Sequence, residues 1–134
     1  METVNQIEYN GALYNIQDAE AQKNLVYSQE EIDTGKIWID GKKIYRKVID
    51  CGYLLNSQEK NINYNIKNFE KITKLYGIGY QDNGDFLPIP YIYNTSGGEG
   101  DITLFANSNI ISLKTYRDRT DIKVYVILEY TKTV

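Results

Sequence analysis

The sequence predicts an all-β fold, an antiparallel β-sandwich or jelly-roll-like domain that spans residues 36–134. Short segments alternate apolar and polar residues, and glycine- or asparagine-rich turns separate them at a spacing of roughly 8–12 residues. The last segment is the clearest. Its alternation places Ile122, Val124, Val126, Leu128 and Tyr130 on one face of a strand and Lys123, Tyr125, Glu129 and Thr131 on the other.

The composition fits one modest domain with an N-terminal extension and excludes several classes of function. The 134 residues carry a net charge of -3 with scattered Lys and Arg, whereas nucleic-acid binding needs a concentrated basic patch. No apolar run approaches the ~20 residues of a membrane helix, and the polar start lacks the apolar core of a signal peptide. We therefore expect neither a nucleic-acid nor a membrane partner.

The first 35 residues predict a hairpin followed by a short helix, ahead of the domain. Asn10-Gly11 is a strong hairpin signal, and Asp18 can cap a helix over residues 19–25. At helical spacing one stripe would hold Ala21, Leu25, Ser28 and Ile32, and Ser28 with Glu31 matches a capping box at which the helix could restart. The stripe is too short to hold a coiled coil alone, so the residues by themselves predict a connector.

Within the domain, turn chemistry orders the strands. Asp40-Gly41 predicts a hairpin, and Gly77 and Gly79 predict a bulge or a close neighbouring backbone. Pro88 and Pro90 predict an edge strand, because proline cannot donate to a sheet ladder. The predicted strands are 37–39, 43–49, 61–66, 69–80, 86–93, 102–106, 110–116 and 122–130, with turns at 82–85 and 117–121.

Candidates for catalysis and metal binding are few. The sequence contains no histidine, which removes the commonest general base and metal ligand. Cys51 lies near a strand end without a base to activate it, so we expect a buried or incidental thiol. The carboxylates of residues 82–85 and 99–101 lack EF-hand spacing and are interpreted as solvated turns. We expect no cofactor and no metal. A carboxylate pair for glycoside hydrolysis stays open, because its test is spatial.

Tyrosine occurs 13 times against three phenylalanines, and two interpretations compete. Most of these rings could be half-buried sheet residues, or some could form an aromatic surface for sugars, with candidates at Trp38, Tyr76–Tyr80 and Tyr91–Tyr93. If a ligand binds, we place it at Tyr91, Tyr93, Asn94 and the loop Ser96–Asp101, where aromatic rings, an amide and carboxylates adjoin a glycine-rich loop. The alternative is that these tyrosines pack at an edge or a subunit contact.

Three stretches resemble structural proteins of bacteriophage tail and head fibres. Residues 7–19 resemble an N-terminal hairpin-helix motif, roughly I-x-Y-N-G-x-x-Y-x-I-x-D. Residues 27–31 and 35–47 resemble the stretch Y-S-T-E-E … G-x-W-I-D-G-K-x-I-Y-x-K, and residues 126–133, with their E-Y-T-K-T sequence, resemble the family's ending. Residues 54–121 carry no recognised motif.

The resemblance implies a virion component, assembled in the bacterial cytoplasm, rather than an enzyme. Its partners would be other phage proteins and further copies of the chain, since phage fibres are typically trimers. The first 35 residues would then be the attachment or oligomerisation element, in which Ala21, Leu25 and Ile32 contact other subunits. The leading hypothesis is a tail-fibre or receptor-binding tip or a head-fibre decoration, exposed on the particle. The alternative is a carbohydrate-binding module for bacterial surface glycans, and a tail-associated glycan hydrolase ranks last.

The resemblance to fibre proteins, which are typically trimers, together with a stripe too short to be stable alone, predicts a homotrimer in which the N-terminal segment contributes to association. Light scattering should give the mass of three chains at high micromolar concentration. A clean monomer, with or without the first 35 residues, would contradict this.

Overall fold

The computed structural model describes residues 6–9, 12–15, 26–93 and 98–134, which contain ten β-strands and no helix. All paired strands are antiparallel. The strands are β1 (Gln6–Tyr9), β2 (Ala12–Asn15), β3 (Ile32–Ile37), β4 (Lys43–Tyr53), β5 (Glu59–Asn63), β6 (Phe69–Gln81), β7 (Phe86–Ile89), β8 (Ile102–Ala106), β9 (Ile110–Thr115) and β10 (Ile122–Lys132). The all-β prediction is confirmed.

The larger sheet has five strands in the order β3-β4-β10-β6-β7. Its centre is β10, which pairs with β4 on one side and with β6 on the other. Val126, for example, is opposite both Ile49 of β4 and Gly77 of β6. The alternation read from the sequence is confirmed, since its five predicted apolar positions are all fully buried.

The smaller sheet has three strands in the order β5-β9-β8, and β9 lies at its centre. Both sheets contribute side chains to one hydrophobic core. Each fully buried aliphatic side chain there stabilises the fold by about 1.5–3 kcal/mol. The larger sheet supplies Ile49, Leu87, Ile89, Val124, Val126 and Leu128 to this core, and the smaller sheet supplies Ile102, Ile111 and Leu113.

Two glycines allow β6 to lie close to its neighbours. A Cβ on Gly77 would lie 3.0 Å from the Tyr125 carbonyl oxygen and 3.1 Å from Ile89 Cβ. A Cβ on Gly79 would lie 3.0 Å from a methyl group of Ile122. The expectation of a close backbone at these positions is therefore confirmed.

Strand β7 is the edge strand that its prolines predicted. It pairs only with β6, so the missing N–H of Pro88 leaves no gap in a ladder. Beyond the cis Ile89–Pro90 bond, the chain passes to the other sheet. There Tyr91 and Ile102 exchange two backbone hydrogen bonds, each 2.9 Å long.

The N-terminal hairpin is confirmed, since β1 pairs antiparallel with β2 and Tyr9 is opposite Ala12. Its turn at Asn10-Gly11 and the predicted helix over residues 19–25, with Ala21 and Leu25, lie outside the described residues.

The prediction that the helical stripe continues through Ser28 to Ile32 is wrong, because Ile32 begins strand β3. The Ser28 carbonyl accepts the Val48 N–H at 2.8 Å, which aligns this segment with β4. The Ser28 hydroxyl accepts the Glu30 N–H at 3.0 Å in a local turn, not in a capping box. Pairing with an available sheet edge outweighs a weak local helix signal. The predicted domain start at Lys36 falls inside β3.

Several strand boundaries also differ from the prediction, since β4 extends to Tyr53 instead of residue 49, and β7 ends at Ile89 instead of Tyr93. Strand β3 ends at Ile37, and Trp38 lies in the turn, where its carbonyl accepts the Gly41 N–H at 2.9 Å. Strand β5 ends at Asn63 and not at Ile66, because Asn65 has a φ of 49° and turns the chain.

We predict that Leu128→Ala lowers the free energy of unfolding by about 2–5 kcal/mol, because Leu128 is fully buried at the centre of the core. The matched control is Ile39→Ala, since Ile39 is 91% exposed and should change stability little. Urea denaturation followed by circular dichroism measures both. Equal effects of the two substitutions would contradict the burial of Leu128 in the core.

Candidate functional site

The structure brings together three of the four residues predicted to bind a ligand. The rings of Tyr91 and Tyr93 stack with their centroids 6.1 Å apart and their planes at 29°. The Tyr93 N–H donates to Asp101 Oδ1 at 3.0 Å, which ties the strand end to the following loop. Asn94, with Ser96 and Gly97, lies outside the described residues. We call the group Tyr91, Tyr93, Asp101, Arg117 and Arg119 the loop-end site.

A glycine sets the position of the second ring in this site. A Cβ on Gly100 would lie 2.6 Å from Tyr93 Cβ, a distance that no side chain can occupy. The Asp101 N–H donates to the Gly98 carbonyl at 3.1 Å, and Gly98 has a φ of 71°, which closes a tight turn. The backbone of this turn therefore packs against one side of Tyr93, which remains 45% exposed.

Two arginines complete the site, and the sequence analysis missed both. The Arg117 guanidinium lies 5.5 Å from the Tyr93 ring centroid, and that of Arg119 lies 5.8 Å from the Tyr91 centroid. The sequence indicated only a charged turn here. Strand pairing explains the proximity, because Ile102 is opposite both Tyr91 and Thr115, so the segments that follow meet at one end.

Arg119 differs from Arg117 in being buried, with only 5% of its surface exposed. One of its terminal nitrogens donates to the Gly100 carbonyl, while Nε has no hydrogen-bond partner among the described residues. Burial and then the nearby charge of Arg117 lower the pKa of the Arg119 guanidinium. A buried cation thus lies beside the Tyr91 ring.

A second aromatic surface lies on the outer face of the five-stranded sheet. Tyr80 meets Phe86 at 5.7 Å and Tyr125 at 6.0 Å, in both cases edge to face. Phe86 is 71% exposed, and Tyr53 on the same face is 48% exposed and donates to Asp82 at 3.3 Å. We call Tyr53, Tyr80, Phe86 and Tyr125 the outer aromatic surface.

The other predicted aromatic candidates, Tyr76 and Trp38, belong to neither of these two surfaces. Tyr76 contacts Tyr27 through their hydroxyls at 3.3 Å. Burial and this hydrogen bond raise the pKa of Tyr76 to about 12. Trp38 follows the edge strand β3, whereas Tyr91 follows β7 at the opposite edge of the sheet, so the structure separates them.

A polar cluster joins the N-terminal segment to the last strand. Glu31 accepts hydrogen bonds from the Tyr130 hydroxyl and from Lys132 Nζ, both at 2.7 Å. Arg46 lies 3.8 Å from Glu129, and both side chains are nearly fully buried. Burial and then the bond to Glu31 raise the pKa of Tyr130. We call Glu31, Arg46, Glu129, Tyr130 and Lys132 the N-terminal clasp.

Further contacts extend the clasp along the entering chain. Arg46 donates to the Val26 carbonyl at 2.8 Å, and its guanidinium lies 4.1 Å from the Tyr27 ring centroid. Lys36 approaches Glu129 at 3.5 Å. The sequence placed Glu129 on the face away from the core, and the structure shows that Arg46 and Lys36 bind it there.

The chemical candidates of the sequence are found in structural settings. Cys51 is buried as expected, and burial raises the pKa of its thiol to about 12. The turn at 82–85 is confirmed, since the Gly84 N–H donates to the Gln81 carbonyl at 2.9 Å. Among the residues with described positions, no three His, Cys, Asp or Glu side chains are grouped so as to hold a metal ion. The described part of the chain likewise contains no helix that could cross a membrane.

No protein-family model matches the chain, and comparisons with curated proteins and with solved structures found no match either.

Proposed function

We propose that the protein is a structural appendage subunit of a tailed bacteriophage, either a fibre or receptor-binding tip or a head-fibre decoration. The two sheets, with their common core, would form a β-sandwich of jelly-roll type, exposed on the particle and preceded by an attachment segment. A rigid β-domain with an attachment element and adaptable loops suits a subunit that faces the host surface.

The N-terminal clasp is the observation that carries the proposal. Two of the three stretches that resemble phage fibre proteins, residues 27–47 and residues 126–133, are far apart in the sequence. In the fold they contact one another, because Glu31 binds Tyr130 and Lys132, and Arg46 approaches Glu129. These two stretches therefore belong to one three-dimensional unit, which supports an inherited structural module over chance matches of short peptides.

The test is the location of the protein in a lysate of phage-producing cells. Particles purified by density gradient should contain the chain by mass spectrometry, and a specific antibody should label them in electron micrographs. A chain found only in the particle-free supernatant would contradict the proposal. Label at the capsid or at the tail tip would separate a head fibre from a receptor-binding tip.

A second candidate function, carbohydrate binding, is favoured by the geometry of the loop-end site. Tyr93 presents a partly exposed ring stacked on Tyr91, and the Asp101 carboxylate beside it can accept hydrogen bonds from sugar hydroxyls. A weak site of this kind would become effective in several copies per particle, since multivalency can raise avidity by about 10²–10⁴.

We predict that the double substitution Tyr91→Ala and Tyr93→Ala reduces binding to host cells at least tenfold, because it removes both rings of the stack. The measurement is a pull-down of the protein on host cell walls. The matched control replaces Tyr80 and Tyr125 by Ala, which removes two rings from the outer aromatic surface. Unchanged binding by a folded Tyr91/Tyr93 variant would mean that the ligand binds at another site, or that the protein decorates the particle without binding a glycan. New reducing ends on the polysaccharide would instead favour a hydrolase.

A further inference from the structure

We propose that the loop-end site binds an acidic glycan through an anionic group, a carboxylate or a phosphate, that contacts the Arg117 guanidinium beside the Tyr93 ring. The proposal rests on the carbohydrate-binding function above and names the class of glycan.

The charge balance of the site is the first argument. Among the described residues, no carboxylate lies within 4.0 Å of the Arg117 or the Arg119 guanidinium. In the same described part of the chain, three other cations over tyrosine rings pair with a carboxylate, Lys132 with Glu31, Arg46 with Glu129 and Lys123 with Asp50, whereas Lys74 and Lys114 have no such partner. The loop-end site differs from these places in holding two such cations close together, since the charge of Arg117 lowers the pKa of Arg119.

The acidic side chains nearest in the sequence are held by other groups. Asp118 accepts from the Thr120 N–H at 3.0 Å and from its hydroxyl at 2.7 Å. Asp121 accepts from the Gln81 amide at 3.0 Å, and Asp101 accepts from the Tyr93 N–H. Glu99 is exposed on the turn. None of these carboxylates lies within 4.0 Å of either guanidinium, although Asp121 is close enough for its charge to oppose the lowering of the Arg119 pKa.

The burial of Arg119 is the second argument. Arg119 as a residue is only 5% exposed, and its buried Nε has no hydrogen-bond partner within the described residues. Its charge is weakly screened and acts at the surface that Arg117 occupies. An incoming anion would be attracted by both charges, while only Arg117, which is exposed, would contact it directly.

The shape of the site is the third argument. A sugar acid or a sugar phosphate combines an apolar face of C–H groups with one anionic group. The exposed Tyr93 ring can stack on such a face while the planar Arg117 guanidinium forms a bidentate pair with carboxylate or phosphate oxygens. A neutral sugar would use the ring alone.

Calorimetric titration of the full-length protein at low salt tests the proposal with three probes. They are a galacturonic acid oligosaccharide, a glycerol phosphate polymer and a neutral galactose oligosaccharide of similar length. We expect one or both anionic probes to bind, with affinity falling as salt rises, and the neutral probe to bind at least tenfold more weakly. The better anionic probe identifies the source of the charge.

Substitutions assign the binding to the site. Arg117→Gln should weaken binding of the anionic probe about tenfold or more, because it removes a charge-assisted hydrogen-bond pair. It should not lower the melting temperature, since Arg117 is exposed. The control is Lys74→Gln, which removes the same charge from a cation 5.0 Å from the Tyr76 ring centroid on the larger sheet.

The failures are distinguishable. If all three probes bind equally and Arg117→Gln changes nothing, the anion inference is overturned while the carbohydrate site stands. If Lys74→Gln weakened binding of the anionic probe as much as Arg117→Gln does, the effect would be one of net charge, and the anion inference would also be overturned. Binding of no probe at millimolar concentration would overturn both this inference and the carbohydrate-binding function.

Discussion

Strand β10 is hydrogen-bonded along both edges, to β4 and to β6, while its apolar face is packed into the core shared with the smaller sheet. Both neighbours depend on it for pairing, and β3 and β7 are attached only through them. The close packing at Gly77 and the hydrogen bonds of the N-terminal clasp to Tyr130 also require this strand in place. Its five buried positions thus determine the sheet order more than any loop does.

Much of the fold could be predicted from the sequence because its signals are local, and the alternation along β10 is the clearest of them. Strict alternation, Asp-Gly turns and a proline-marked edge are local signals, and the strands, hairpins and edge followed from them. The failure at residues 28–32 has the opposite cause. A serine and a glutamate at capping-box spacing indicate a helix only while no sheet edge is near, and β4, whose Val48 N–H binds the Ser28 carbonyl, provides that edge from a distance in the sequence.

The candidate site was predictable only in part for the same reason. Tyr91, Tyr93 and Asp101 lie within one stretch, so local composition was sufficient to group them. Arg117 and Arg119 come to the site only because Ile102 pairs with both Tyr91 and Thr115, a relation between strands that no short pattern expresses. Glu129 is a similar case, since its burial depends on Arg46, which lies on the neighbouring strand.

The position of the N-terminal clasp has a mechanical consequence. Tension that enters the domain at residue 26 would be carried by the Ser28–Val48 hydrogen bond and by the bonds of Glu31 to Tyr130 and Lys132. These contacts pass the load directly into β4 and β10, which are each hydrogen-bonded to a neighbouring strand on both sides. Tyr93 and Arg117 take part in none of these hydrogen bonds. The surface that they form would therefore receive the load only through the sheets and would keep its shape while the N-terminal contacts hold.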